Sequence, residues 1–252
     1  SVVLSFGVPL GAAIYSWKKY RISFRNIFVG AVIFVLFAMV LERSMHVYLL
    51  QKNSYTAAFI NGNPLVFAVY GALAAGVFEE LGRFFGYKIL LKGRNERKDG
   101  IAYGIGHGGI EAFLVGGLSI IQSLYFSMLI NSGKLNAALA GKVSSSMLDQ
   151  ISSNLISSSP YLFLVSGFER VFAFTIQIGL SLVVLYAIKS KKYRYLIYAV
   201  LLHMLVDFPA GLYQKGFISN IWIIEGFCLV LAICSLIFIK KWDKIFEHKK
   251  NH

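Results

Sequence analysis

The chain has 252 residues, of which 57% are hydrophobic, with a mean hydropathy of +0.65 and a formal net charge of +13. This composition excludes an ordinary soluble domain of the same length and favours a chain with several membrane-spanning helices. A strongly positive charge is also typical of nucleic-acid-binding proteins, but the basic residues here follow a membrane topology, so no nucleic-acid partner is expected.

Seven runs of mostly apolar residues are each about as long as a helix needs to be to cross a bilayer. We predict an all-α, polytopic membrane protein that forms one integral membrane domain over residues 1–252. The predicted spans lie at roughly 2–16, 27–47, 64–87, 101–130, 160–188, 195–213 and 218–239. The first run is not predicted to be a cleaved signal peptide, because a basic loop follows it instead of a small-residue cleavage site.

Basic residues gather in alternate loops between the predicted spans. The loops after spans one, three and five, and the segment after span seven, hold 18 of the 25 lysines and arginines: Lys18, Lys19, Arg21, Arg25, Lys88, Lys92, Arg94, Arg97, Lys98, Lys189, Lys191, Lys192, Arg194, Lys240, Lys241, Lys244, Lys249 and Lys250. The positive-inside rule therefore predicts an N-terminus outside the cell and a cytoplasmic C-terminus. The same clusters are suited to contact with anionic lipid headgroups.

The longest connection between predicted spans covers residues 131–159. Apolar residues recur there every four positions, with Ser, Asn, Asp and Gln between them. This spacing predicts an amphipathic helix that lies on the outer face of the membrane. It serves either as a solvated connector or as a cap over a site below.

Several ionisable side chains lie inside the predicted spans, where a charge is costly unless it faces the bundle interior and has a partner. Glu225 lies alone in the last span. Four pairs are spaced i, i+4, which puts the two partners one turn apart on the same helix face: Glu42 and His46, Glu79 and Arg83, His107 and Glu111, His203 and Asp207. Such pairs either pin helices together or carry chemistry.

The depth of each side chain, counted in residues from the cytoplasmic end of its helix, helps to distinguish helix pinning from chemistry. Glu79, His107 and His203 all fall at about 12–14 Å from the inner ends, because a helix rises about 1.5 Å per residue. A glutamate beside a histidine can take a proton from water, which then attacks a carbonyl while a second histidine stabilises the oxyanion. The outer half holds a separate predicted layer that serves packing or substrate access: Glu42, Glu169 and Arg170.

A zinc site is the alternative, because two histidines and a carboxylate are ligands of catalytic zinc. The sequence lacks the His-Glu-x-x-His motif, and the ligands would come from three helices. Cys228 and Cys234 have no metal-ligand spacing and are predicted to be apolar filler.

Three short motifs resemble those of a known protease group. They read "EELGR" at Glu79–Arg83, "YGIGH" at Tyr103–His107 and "HMLVD" at His203–Asp207, and they resemble the CAAX-processing and bacteriocin-processing (CPBP or Abi) glutamic intramembrane proteases. The longer strings "FEELGRFFGY", "GIGHGGIEA", "FERVFAF" and "LLHMLVDFPA" are more similar to the YhfC branch of that group. The resemblance covers residues 42–210.

The resemblance implies an intramembrane endopeptidase that needs no cofactor. Glu79 would activate water together with His107, while Glu80 and Arg83 would orient Glu79 or balance its charge. The pair implied to stabilise the oxyanion is His203 and Asp207.

Two features of the chain modify this assignment. Glu111 lies in the YhfC-like string "HGGIE". It is counted with the catalytic residues for that reason, although the wider group gives it no role. Arg83 stands four residues after the first glutamate, where the group usually has five. This spacing leaves open whether Glu79 or Glu80 is the base.

The expected substrates are membrane-bound peptides or protein tails, and the expected location is the bacterial plasma membrane. One alternative is a non-proteolytic scaffold of the same fold that binds a membrane-protein partner. Another is a proton-coupled transporter, because Glu and His side chains inside membranes also relay protons. The sequence shows no repeated halves that would favour transport.

Overall fold

The computed structural model describes residues 1–141 and 143–246. All regular secondary structure in these residues is helical. The helices are α1 (Val2–Tyr20), α2 (Phe24–Lys52), α3 (Ser54–Asn61), α4 (Pro64–Leu90), α5 (Arg97–Asn131), α6 (Leu135–Leu139), α7 (Ser145–Ser157), α8 (Pro160–Ser190), α9 (Arg194–Gln214) and α10 (Ile221–Phe246).

Within the described residues, six helices are long and apolar enough to cross a membrane: α2, α4, α5, α8, α9 and α10. The prediction of an all-α, polytopic membrane protein is therefore confirmed. The first predicted span is also helical, but α1 is not among the six and has Lys18 and Lys19 in its last turn. The seventh span and the outside N-terminus remain predictions.

The connection over 131–159 differs from the single amphipathic helix that its spacing predicts. It contains two short helices, α6 and α7, separated by a break. Gly141 has a φ of 72°, in the left-handed region that favours glycine. Ser144 then begins a new helix by accepting a hydrogen bond from the backbone N–H of Met147. The part of the prediction that falls on position 142 lies outside the described residues.

Helices α4, α5, α8 and α9 pack so that they enclose a polar centre. α9 lies along α4, α2 lies along α5, and α8 packs against both α5 and α10. The contact between α2 and α5 is so close that a Cβ on Gly106 would overlap the carbonyl oxygen of Ile27. This approach fixes the neighbouring His107 in the interior, where its side chain is fully buried.

Candidate active site

Glu79 on α4 lies at the centre of a buried polar cluster. Its Oε2 atom is 2.8 Å from Nε2 of His107 on α5. The same oxygen is 3.9 Å from Nε2 of His203 on α9. The structure thus brings together the three side chains that depth counting along the helices placed at one level.

Arg83 contacts both glutamates of the "EELGR" motif. It forms an ion pair with Glu80, and its Nη2 atom lies 3.5 Å from Oε2 of Glu79. The i, i+4 pairing in the sequence linked Arg83 to Glu79 alone, but residues three and four positions apart both lie beside the same helix face. Arg83 and Glu80 are fully buried, so the guanidinium offsets carboxylate charge away from water.

His203 has a carboxylate next to each of its ring nitrogens. Nδ1 lies 2.6 Å from Oε1 of Glu80, and Nε2 lies 3.4 Å from Oδ2 of Asp207. The side chain of Asp207 is 39% exposed, whereas that of His203 is 4% exposed. The i, i+4 pair on α9 therefore points from the buried cluster toward a more open region.

Gln177 on α8 joins the cluster, and the sequence analysis missed it. Its Nε2 donates to Oε2 of Glu111 at 2.5 Å and to Oε2 of Glu79 at 3.3 Å. Its Oε1 accepts a hydrogen bond from Arg83. The only signal in the sequence is a lone amide in the apolar run "FTIQIGL".

Arg170 lies at the edge of this cluster. The prediction that it belongs to a separate outer layer with Glu42 and Glu169 is therefore corrected for Arg170. Its Nη1 atom lies 3.7 Å from Oε1 of Glu111, and its Nη2 donates to Oε1 of Glu169 at 2.5 Å. Glu42 instead contacts Nε2 of His46 at 3.0 Å. Because α5 and α8 pack together, Arg170, two turns before Gln177 on α8, reaches the same carboxylate of Glu111.

The cluster opens onto a small cavity of about 70 Å³. Its polar lining comes from α5, α8 and α9: Glu111, Glu169, Arg170, Gln177, His203 and Asp207. A cavity of this size holds only a few water-sized groups. The arrangement therefore places carboxylate and imidazole groups beside a confined polar space.

Three side chains of the buried cluster have the chemistry and the arrangement of a metal site. One ligand atom each from Glu79, His107 and Glu111 lies within 4.8 Å of the others. One imidazole and two carboxylates suit zinc, and the hydrogen bonds from Gln177 to both carboxylates are the kind of outer contact that orients metal ligands. The residues present thus fit a divalent cation, which favours the zinc alternative over the expectation of no cofactor.

The fold and the site define a multi-pass membrane protein with a buried carboxylate–imidazole cluster that can hold a metal ion. The chain belongs to the YhfC family, whose model, described as "YhfC intramembrane metalloprotease", matches residues 4–228. It is 38% identical over 248 residues to the "Uncharacterized membrane protein YhfC" of Bacillus subtilis (strain 168), covering 98% of this chain and 95% of that protein. No solved structure matches the chain.

The family supports a membrane protease in general and a multi-pass membrane location in bacteria. The YhfC part of the sequence resemblance is thereby confirmed. Membership of the wider CPBP group, and its glutamic mechanism, remain expectations.

Proposed function

We propose that the protein is an intramembrane metallopeptidase that hydrolyses a peptide bond in a membrane-associated peptide or protein. The observation that carries this proposal is the approach of Glu79, His107 and Glu111 to within 4.8 Å of one another, on helices that are long and apolar enough to span a membrane. The family description supports the same class of enzyme.

Glu79, His107 and Glu111 would hold the metal through two carboxylate oxygens and one imidazole nitrogen. A bound zinc ion supplies a Lewis acid that polarises a carbonyl and lowers the pKa of water. Gln177 orients both carboxylates, and Arg83 orients that of Glu79, through the contacts described above. Because these groups are buried, the charges act in an environment of low dielectric constant, where they interact strongly.

His203 and Asp207 are the groups that move protons in this proposal. Asp207, which lines the polar cavity, accepts a proton from the attacking water as its oxygen bonds to the carbonyl carbon. His203 donates a proton from Nε2 to the amine nitrogen as the carbon–nitrogen bond breaks. Glu80 holds His203 in place at Nδ1, 2.6 Å away.

A second candidate uses the same cluster without a metal. Glu79 would take the proton from water with the help of His107, and His203 with Asp207 would stabilise the oxyanion. The ion pair of Arg83 with both glutamates favours this mechanism, because it already balances carboxylate charge. The two candidates differ at Glu111, which is a metal ligand in the first and has no assigned role in the second.

The test compares Glu111→Gln with Glu42→Gln. Glu42 is a matched control because it is also a buried carboxylate next to a histidine, outside the proposed ligand set. We expect the purified wild-type protein to bind about one zinc ion per chain. Glu111→Gln should lose that zinc and lower reporter-peptide cleavage by more than about a hundredfold, beyond the usual effect of an outer contact. The measurements are elemental analysis and cleavage kinetics in detergent.

Two other results would favour a different mechanism or a different function. Cleavage by zinc-free protein, with full activity in Glu111→Gln and none in Glu79→Gln, would assign the glutamic mechanism. No cleavage, with a membrane protein that copurifies equally with wild type and Glu79→Gln, would assign a scaffold.

A further inference from the structure

An apolar groove runs between α8, α9 and α10 and has a volume of about 210 Å³. Leu202, which is 44% exposed, and the exposed Cys234 line it, so the groove opens on the outer surface of the helix bundle. In a membrane-spanning bundle, this surface faces lipid. The other lining residues used below are Ile176, Leu180 and Val206.

The groove adjoins the polar cavity of the candidate active site, and the two spaces share an apolar wall. Ile176, Leu180 and Val206 line both spaces. On α10, Cys228 lines the cavity and Cys234 lines the groove, and six residues of helix separate them by about 9 Å. A polypeptide lying in the groove would therefore be two or three residues of extended chain away from the cavity, across that wall.

Two other apolar pockets do not adjoin the polar cavity. One, of about 270 Å³, lies between α1, α2 and α5. Another, of about 440 Å³, is lined by residues of α3 and α4. Neither shares a lining residue with the polar cavity, so neither leads to the candidate active site.

We propose that the groove binds the apolar membrane segment of the substrate, next to the scissile bond. The cavity of about 70 Å³ has room for the reacting groups but not for the side chains on either side of them. An apolar segment arriving through the bilayer would find matching walls in the groove, where Ser235 and Cys234 are the only lining residues that are neither apolar nor glycine. This proposal rests on the peptidase function proposed above.

The two native cysteines allow a test that does not depend on cleavage. The probe is a synthetic peptide of about 20 apolar residues with one central cysteine, reconstituted with the protein in phosphatidylcholine vesicles. The protein is Cys228→Ser, which keeps Cys234 in the groove. The matched control is Cys228→Ser/Cys234→Ser/Ile237→Cys, because Ile237 is 47% exposed on the same helix and does not line the groove.

Under mild oxidation, disulfide formation with the probe should be at least about tenfold faster at Cys234 than at position 237, because binding raises the local concentration of the probe. Equal rates at the two positions would overturn the proposal.

A cleavage measurement separates this proposal from the proposed function. Cys234→Trp, which fills the groove, should lower kcat/KM for a membrane-embedded reporter by about tenfold, and Ile237→Trp should leave it unchanged. Preferential cross-linking at Cys234 with no cleavage by wild type would refute the peptidase and retain a peptide-binding groove. Cleavage by wild type with equal effects of both tryptophans would refute the groove and retain the peptidase.

Discussion

At the scale of single residues, Gln177 organises the candidate site without adding charge. Its amide nitrogen donates to two carboxylates, and its carbonyl oxygen accepts a hydrogen bond from a guanidinium. A lysine or a glutamate at this place would upset the charge balance of a buried cluster. A neutral amide can donate hydrogen bonds to carboxylates and accept one from a guanidinium at the same time. It therefore suits a site of low dielectric constant.

Replacing Gln177 with methionine, which has a similar shape, tests this role. Gln177→Met removes three hydrogen bonds, to Glu79, to Glu111 and from Arg83, and it takes from Oε2 of Glu111 the donor that orients this carboxylate. We expect the affinity for zinc to fall by about 10–100-fold, as for other outer contacts of metal ligands. The measurement is a competitive zinc titration of purified protein. Gln122→Met is the control, because Gln122 is exposed on α5, and an equal loss of affinity in both variants would contradict the role of Gln177.

The sequence was sufficient to predict that Glu79, His107 and His203 meet, but not that Gln177 and Arg170 join them. Glu79, His107 and His203 could be aligned because a helix rises by a constant amount per residue. Gln177 follows no charge pattern, and its orientation depends on how α8 rotates against α5. The contact between Arg170 and Glu111 depends on the same packing, so it also escaped the prediction.

At the scale of helices, the crossing of α2 and α5 positions the histidine ligand. Gly106 precedes His107, and its lack of a side chain lets the backbone of α2 approach at Ile27. Small residues at such crossings allow close packing in membranes, where van der Waals contact replaces the hydrophobic driving force between helices. Apolar runs predicted that these helices exist, but they do not reveal which glycine lies in a crossing.

Adding one methyl group at this crossing should destabilise the protein. Gly106→Ala forces α2 away from α5, and overpacking of this kind costs about 1–3 kcal/mol. We expect a lower midpoint of thermal unfolding in detergent and weaker zinc binding through displacement of His107. Gly71→Ala is the control, because a Cβ there would meet no atom within 4 Å. A lower midpoint for Gly71→Ala than for Gly106→Ala would show that helix contact at Gly106 is not the cause.

At the scale of the whole molecule, the number of spans decides on which side of the membrane the N-terminal end lies. α1 has 19 residues and is therefore about 28 Å long, close to the thickness of about 30 Å of a hydrocarbon core. It packs against α5 and α8, both of which belong to the membrane-spanning set. This length and packing are consistent with a seventh span, so the seven-span topology remains our prediction even though the last turn of α1 is basic.

Labelling of single cysteines in intact cells tests this topology. In a Cys228→Ser/Cys234→Ser background, we expect a membrane-impermeant maleimide to label Val3→Cys, because Val3 is 79% exposed and lies at the predicted outer end of α1. Lys18→Cys, at the other end of the same helix, should be labelled only after the membrane is permeabilised, because its basic loop is predicted to be cytoplasmic. If both positions require permeabilisation, α1 does not cross the membrane and the chain has six spans. If Lys18→Cys alone is labelled in intact cells, the orientation predicted from the basic loops is reversed.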